Sequence, residues 1–294
     1  MKTQTIHNHP ESKPQTTLVL GGTGKTGRRI VQRLQAKGVP VRVASRSGET
    51  PFEWNDPTTW APAIQGVHSI YIAFHPDLAV PGAKEAIQQL VDLAKEADVK
   101  KLVLLSGRGE EEAQRCEKIV QESGLDWTVV RCGWFNQNFS ENFMLDMVLD
   151  GVIALPFSGH AEPFVDVDDI ADVATAALTE TGHSGQVYEL TGPELLTFPE
   201  IAEKISKASG KEVRFQPISR EEFVQGLLDQ QVPKEFVDLL DYLFTFVLDG
   251  RNSYLADGVQ RALGRAPRDF DSYARDVAAT GCWNPEEEPM KHAA

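Results

Sequence analysis

Residues 18–27 read LVLGGTGKTG, an apolar strand-like run that enters Gly21-x-x-Gly24-x-x-Gly27 and then a helical pattern carrying Arg28 and Arg29. Gly21 permits a tight exit from the strand. Gly24 lets backbone N–H groups approach an anion, and Gly27 lets the helix pack closely on the sheet. The start of the helix adds unpaired N–H donors and a partial positive charge. Strand, glycine bend and helix together read as a grip for the diphosphate of a dinucleotide. The candidate phosphate loop is therefore Gly21, Thr23, Gly24, Lys25, Thr26 and Gly27. Its spacing is not the Gly-x-Gly-x-x-Gly of the older dehydrogenases.

Outward from this loop, strands and helices alternate. Strand-like runs at 17–21, 41–45, 68–74, 101–106 and 126–131 are separated by helical patterns at 25–37, 58–65, 83–97 and 110–123. Near-continuous apolar strands between amphipathic helices predict a doubly wound parallel sheet. The second half keeps the alternation more loosely. Helices are expected at 139–149, 168–178 and 198–209, and short strands at 152–155, 163–167, 186–190 and 213–218. Asp168 is expected to cap the second of these helices, and Thr197 and Gly210 to open and close the third. Residues 220–279 read as mostly helical. The chain is thus expected to be α/β, a Rossmann-type doubly wound parallel sheet with a smaller α/β C-terminal lobe over the sheet's carboxyl edge. Its expected organisation is a tail at 1–16, a dinucleotide-binding unit at 17–155 to which later segments return, a substrate lobe at 156–284, and a tail at 285–294.

Composition narrows the function classes. With 294 residues and 41% hydrophobic content the chain can fill a sizeable core, and its net charge of −14 argues against nucleic acid and anionic membrane surfaces as partners. Cys116, Cys132 and Cys282 show no CxxC and no metal-ligand spacing. Their odd count, with no secretory signal, predicts reduced thiols and a cytoplasmic location. No apolar run reaches membrane-spanning length. His7 and His9 stand in the N-terminal tail, and no metal is expected there or elsewhere. The partner called for is a small-molecule substrate, with a homodimer or a protein partner left open.

The end of the second strand reads Val41-Arg42-Val43-Ala44-Ser45-Arg46-Ser47. A carboxylate at this tip would hold the ribose hydroxyls of NAD and repel a 2′-phosphate. Here there is none. Arg46 offers a planar fork of donors, and Ser45 and Ser47 add hydroxyls, which favours NADP(H).

One expected pair is missing. Alcohol–ketone dehydrogenases of the short-chain type use Tyr-x-x-x-Lys, the tyrosine protonating the alkoxide. Four residues after Tyr71, Tyr188, Tyr242, Tyr254 and Tyr273 stand His75, Gly192, Phe246, Gly258 and Val277. The chain then either binds NADP(H) without chemistry or reduces an acceptor that needs no strong acid. Iminium ions, quinones and conjugated cations are such acceptors, requiring mainly positioning and exclusion of water. An isomerase or epimerase with bound NADP is disfavoured, because it needs an acid–base pair.

The motifs LVLGGTGKTGRR, RVASRS, DPTTW (Asp56–Trp60), KLVLLS (Lys101–Ser106), SGLDWTVVRCGWFNQNF (Ser123–Phe139) and PFVDVDDIADVA (Pro163–Ala174) together resemble the NmrA-like atypical short-chain dehydrogenases. The resemblance runs from about residue 17 to 283 and is greatest to the branch of the ergot-alkaloid clavine reductases and their bacterial relatives. It implies an NADP-binding Rossmann domain with the substrate site beneath the C-terminal lobe. Its members include quinone, iminium and dye reductases, and also NADP-sensing regulators without turnover. By position it implies that Phe74 and His75 lie on the route from the adenosine-side ribose to the nicotinamide, with Ser106 and Gly107 at the sheet edge nearest the nicotinamide. The family's frequent Arg-Pro after the fifth strand is replaced here by Arg131-Cys132-Gly133.

On the substrate side, Trp134, Phe135 and Asn138 follow the fifth strand where such sheets bind ligands, and aromatic faces there can stack a planar or cationic molecule. The alternative is that the two aromatics pack the lobe on the sheet. No catalytic residue is assigned. The candidates are Ser106, to orient substrate or nicotinamide amide, and His75, as a proton relay. Glu117, close to Glu110, Glu111 and Glu112, reads as part of a solvated face. Cys132 reads as a buried, inert thiol, and Trp54 and Trp60 as anchors under the adenine side.

Overall fold

A computed structural model describes residues 15–141, 143–156 and 159–284. His7, His9, residues 1–14 of the expected N-terminal tail and the tail at 285–294 lie outside the described residues. Among the described residues the strands are β1 (Thr17–Leu20), β2 (Val41–Ser45), β3 (Thr50–Pro51), β4 (Ser69–Ile72), β5 (Lys101–Gly107), β6 (Asp126–Cys132), β7 (Val152–Pro156), β8 (Gln186–Leu190) and β9 (Arg214–Ile218). Seven of them form one parallel sheet in the order β3-β2-β1-β4-β5-β6-β8. The direction of winding reverses between β1 and β4, and that switch point opens a crevice at the carboxyl ends of the strands.

Alternation along each strand builds two cores. Leu18 and Leu20 face one side with Ile70, Ile72, Leu102 and Leu104. This side is covered by α2 (Trp60–Ile64), α3 (Ala83–Glu96) and α4 (Glu111–Gln121), after α1 (Lys25–Ala36) has crossed on the other. Val19, Tyr71, Val103 and Val130 face the opposite side, against Ile30 and Leu34 of α1. Both faces being dry, the strands read as unbroken apolar runs.

The third core belongs to the C-terminal half. The segment expected as one helix at 139–149 is two, α5 (Asn138–Glu141) and α6 (Met144–Leu149). The strand expected at 163–167 does not form. Phe135 and Val165 make a single parallel bridge, and the chain then turns at Asp166 into α7 (Val167–Thr179). Asp166, not Asp168, caps that helix, accepting the Asp168 N–H at 2.9 Å. α7 packs beside α1 on the sheet, with Ile170 and Ala174 in the same core as Ile30. The next helix, α8 (Phe198–Ser209), opens with the expected Thr197, in a capping box with Glu200, and ends at left-handed Gly210. β7 and β9 pair with each other apart from the main sheet. With α8, α9 (Arg220–Asp229), α10 (Lys234–Tyr242) and α12 (Phe270–Ala279), they enclose Phe139, Phe164, Phe198, Phe270 and Trp283. Between those helices α11 (Gly258–Leu263) returns to the main sheet, placing Val259 beside Tyr188 of β8.

Candidate dinucleotide and substrate site

The bend after β1 has the backbone its glycines foretell. Gly21 sits at φ +65°, where only glycine is unstrained. A Cβ on Gly27 would collide with the carbonyl oxygen of Gly21, so helix and bend touch backbone to backbone. Gly22, which the sequence reading passed over, is equally constrained: a Cβ there would lie 2.7 Å from Val43 Cγ1. The N-cap of α1 is Gly24, which supplies no side-chain acceptor. The first-turn N–H groups are thus left for an external anion. Thr23 and Gly24 are exposed beside them, whereas Thr26 is buried and its hydroxyl takes the Tyr71 O–H at 2.9 Å. Among these residues Thr26 therefore offers its backbone, not its side chain.

Ser45 ends β2, and Arg46 and Ser47 follow it on the surface. Arg46 makes no hydrogen bond or ion pair among the described residues, and Ser45 Oγ is a buried hydroxyl without a partner. An orphaned donor beside a free guanidinium, and a glycine cradle that a Cβ would fill, suit a phosphorylated dinucleotide.

A cavity of about 830 Å³ lies between the sheet's carboxyl edge and the C-terminal lobe. It brings together Lys25, Phe74, His75, Ser106, Gly107, Trp134, Phe135 and Asn138 of the expected site residues. The rest of the phosphate loop and Ser45–Ser47 are not among its lining residues. Lys25 joins the two sets, its Nζ lying 3.3 Å from Asn138 Oδ1. Burial and the neighbouring Arg28 and Arg29 hold its ammonium below the ordinary value, against the pull of Glu141. On the lobe's side, with Glu222 and Gln230 beside it, an apolar surface runs from Phe223 and Leu227 of α9 to Leu243 and Val247. The last two stand on a widened π-type turn, Leu243–Val247, which continues α10 and also sets Phe244 against Trp134, ring centres 4.9 Å apart. Turns of this type recur at functional sites.

The polar end of the cavity differs from expectation. Glu117 does not face solvent. It is 1% exposed, accepts the Ser106 hydroxyl at 2.6 Å, and takes Arg131 Nη2 at 2.5 Å. The spacing of Ala113, Cys116, Glu117 and Val120 puts Glu117 on the buried face of α4, a signal the run of glutamates at 110–112 obscured. Glu110 is buried as well and touches Asp77 at the other side of the cavity. Arg131 passes the network on to Glu189 at 3.4 Å, which also holds Arg108 at 2.8 Å. Tyr254 closes it, its ring 4.4 Å from the Arg108 guanidinium carbon and its hydroxyl donating to Glu189.

His75 is exposed, with burial of part of the ring and the charge of Arg46 lowering its pKa, so it is neutral near pH 7. Cys132 is buried, and burial pushes its thiol up. Trp54 and Trp60 pack with Phe52 into the core below β2, and Trp54 also meets Phe74 at 4.6 Å. Among the described residues, no three His, Cys, Asp or Glu side chains are grouped to hold a metal ion. No helix there is long and apolar enough to cross a membrane.

Comparison with known proteins agrees with this geometry. The model of the NmrA-like family matches residues 13–274. Prestalk A differentiation protein A of Dictyostelium discoideum is 30% identical over 283 residues, covering 90% of this chain and 93% of its own. An NAD(P)H azoreductase of Xenophilus azovorans is 30% identical over 285 residues, covering 89% and 98%. Festuclavine synthase I of Penicillium roqueforti is 29% identical over 283 residues, covering 88% and 97%. Among solved structures, the Citrobacter triphenylmethane reductase with NADP(H) superposes with a TM-score of 0.71 at 21% identity, covering 89% of this chain and 99% of that one. The negative transcriptional regulator NmrA with NAD gives 0.68 at 17% identity, covering 92% and 97%.

Proposed function

The chain belongs to the NmrA-like family, and from that premise we propose that it is an NADPH-dependent reductase of small, planar, conjugated acceptors of the quinone, azo or iminium type. The observation that carries this reading is the single cavity running from Lys25 at the phosphate loop to the aromatic pair Trp134 and Phe135. NADPH, when bound, supplies a hydride. The chain supplies the rest. The bend at Gly21–Gly27 holds the diphosphate through backbone N–H groups, and Arg46 with Ser45 receives the 2′-phosphate. Trp134 and Phe135 offer flat apolar faces for the acceptor, and the α9 and α10 side chains exclude water. The sequence holds no Tyr-x-x-x-Lys motif of the kind that protonates an alkoxide. Tyr71 and Tyr273 are buried and donate their hydroxyls to Thr26 and Ser140, respectively.

The azoreductase and festuclavine synthase relatives support turnover. The test is the loss of NADPH absorbance with quinones, azo dyes, cationic dyes and cyclic iminium compounds. Consumption with members of that panel is expected. Tight NADP(H) binding without consumption of any would replace this reading with that of an NADP(H)-sensing regulatory protein.

A further inference from the structure

Asp77 follows β4 and Glu110 precedes α4, and their side chains meet in the wall of the cavity. Glu110 is 6% exposed, and its Oε2 has no hydrogen-bond donor among the described residues. The carboxyl lies so close over Gly107, the last residue of β5, that a Cβ there would collide with it. Asp77 Oδ1 accepts the Ala79 N–H at 2.8 Å. Neither carboxyl forms an ion pair among the described residues. The titratable groups facing them are Glu117, beside Glu110, and Tyr242, which meets both carboxyls and is itself flanked by Glu111 and Arg251; Arg108 lies in the same wall. Like charges in contact in a buried wall repel, so the resting pair favours holding one proton over full ionisation. Burial, and then the charge of Asp77, push Glu110 well above the usual carboxyl range; burial raises Asp77 too.

We propose that the Asp77–Glu110 pair is the proton donor to the molecule reduced in this cavity, and that this molecule is of the quinone class, whose reduction consumes a proton. The inference rests on the reductase reading given above. A quinone that has accepted a hydride, two electrons and one proton, is a hydroquinone monoanion. The pair transfers its proton to the anionic oxygen, giving the neutral hydroquinone and leaving both carboxyls charged. Water then returns one proton to the pair. A cationic triarylmethane dye, by contrast, becomes neutral on accepting hydride alone.

The test compares wild type, Glu110→Gln and Asp77→Asn with NADPH and two acceptors, a benzoquinone and a cationic triarylmethane dye. Both variants are expected to lower the ratio of quinone turnover to dye turnover at least tenfold, within the range of general acid catalysis. The second readout needs no cofactor. Infrared spectra at pH 7 of the cofactor-free protein should show a carboxylic-acid C=O band in wild type that Glu110→Gln removes. Equal loss on both acceptors, no loss on either, or the absence of that band would overturn the proposal while leaving the reductase reading intact. No NADPH oxidation by the wild type with either acceptor would overturn the proposal, and the reductase reading falls with it if azo dyes and cyclic iminium compounds are not reduced either.

Discussion

Ser106 donates its hydroxyl to Glu117 across 2.6 Å, and both side chains are buried. The serine's one proton is thereby committed inward, so Ser106 presents lone pairs to the cavity and acts as an acceptor. Glu117 in turn fixes Arg131 through both of its oxygens, Nε at 2.9 Å and Nη2 at 2.5 Å. The carboxyl end of β5 is thus clamped to the carboxyl end of β6 beneath the cavity.

Glu117→Ala would leave the half-buried Arg131 guanidinium without its main partner. Breaking a buried pair in this way costs roughly 3–5 kcal/mol, whereas Ser106→Ala removes one neutral donor and costs about 1–2 kcal/mol. Urea unfolding of the two variants should reproduce that order. Equal midpoints would mean that the clamp contributes nothing.

Gly27→Ala should weaken NADPH binding at least tenfold, because the new methyl must displace the Gly21 carbonyl and with it the bend. Isothermal titration with NADP⁺ checks this. A circular dichroism spectrum matching wild type would locate the loss in the loop.

Arg46→Ala should raise the dissociation constant for NADPH at least tenfold more than that for NADH if, as proposed, the guanidinium receives the 2′-phosphate. A similar loss for both nucleotides would show that Arg46 does not read the phosphate.

Glu162 is 1% exposed, both its oxygens lack a hydrogen-bond partner among the described residues, and burial pushes it up to about 7, with Asp249 adding to the rise and Arg108 opposing it. The folded state therefore holds this proton above the pH at which the unfolded chain releases it. Its contribution is complete below the ordinary glutamate value and is lost as pH climbs to about 7, a change on the order of 3 kcal/mol. Glu162→Gln should flatten the fall in stability between pH 4.5 and 7, measured by chemical denaturation across that window.

The sheet was legible because its chemistry is local. Leu18, Val19 and Leu20 must all be apolar when both faces are covered, and Gly21, Gly24 and Gly27 sit where strand gives way to helix. What escaped the sequence depended on contacts between distant elements. Glu117 was hidden by charged neighbours on its own helix, although its spacing with Ala113 and Val120 marked it as inward-facing. The meeting of Asp77 with Glu110 depends on how the loop after β4 packs against the start of α4, which no local pattern encodes. Likewise Asp166 displaced Asp168 as the cap because its extended backbone, φ −77° and ψ 131°, turns the carboxylate back over the helix start.

α1 carries the bend at its tip and, along its flank, Arg28 and Arg29 on Glu141 and Arg33 on Asp168 and Asp172. Its twelve residues therefore tie the bend to α5 of the C-terminal half and to α7 beside it on the sheet. Whatever strengthens the hold at one point must, by reciprocity, steady the other. A nucleotide seated far from Trp283 would then slow amide exchange around that indole, and slackening the arginine rungs with salt would ease the nucleotide's exit.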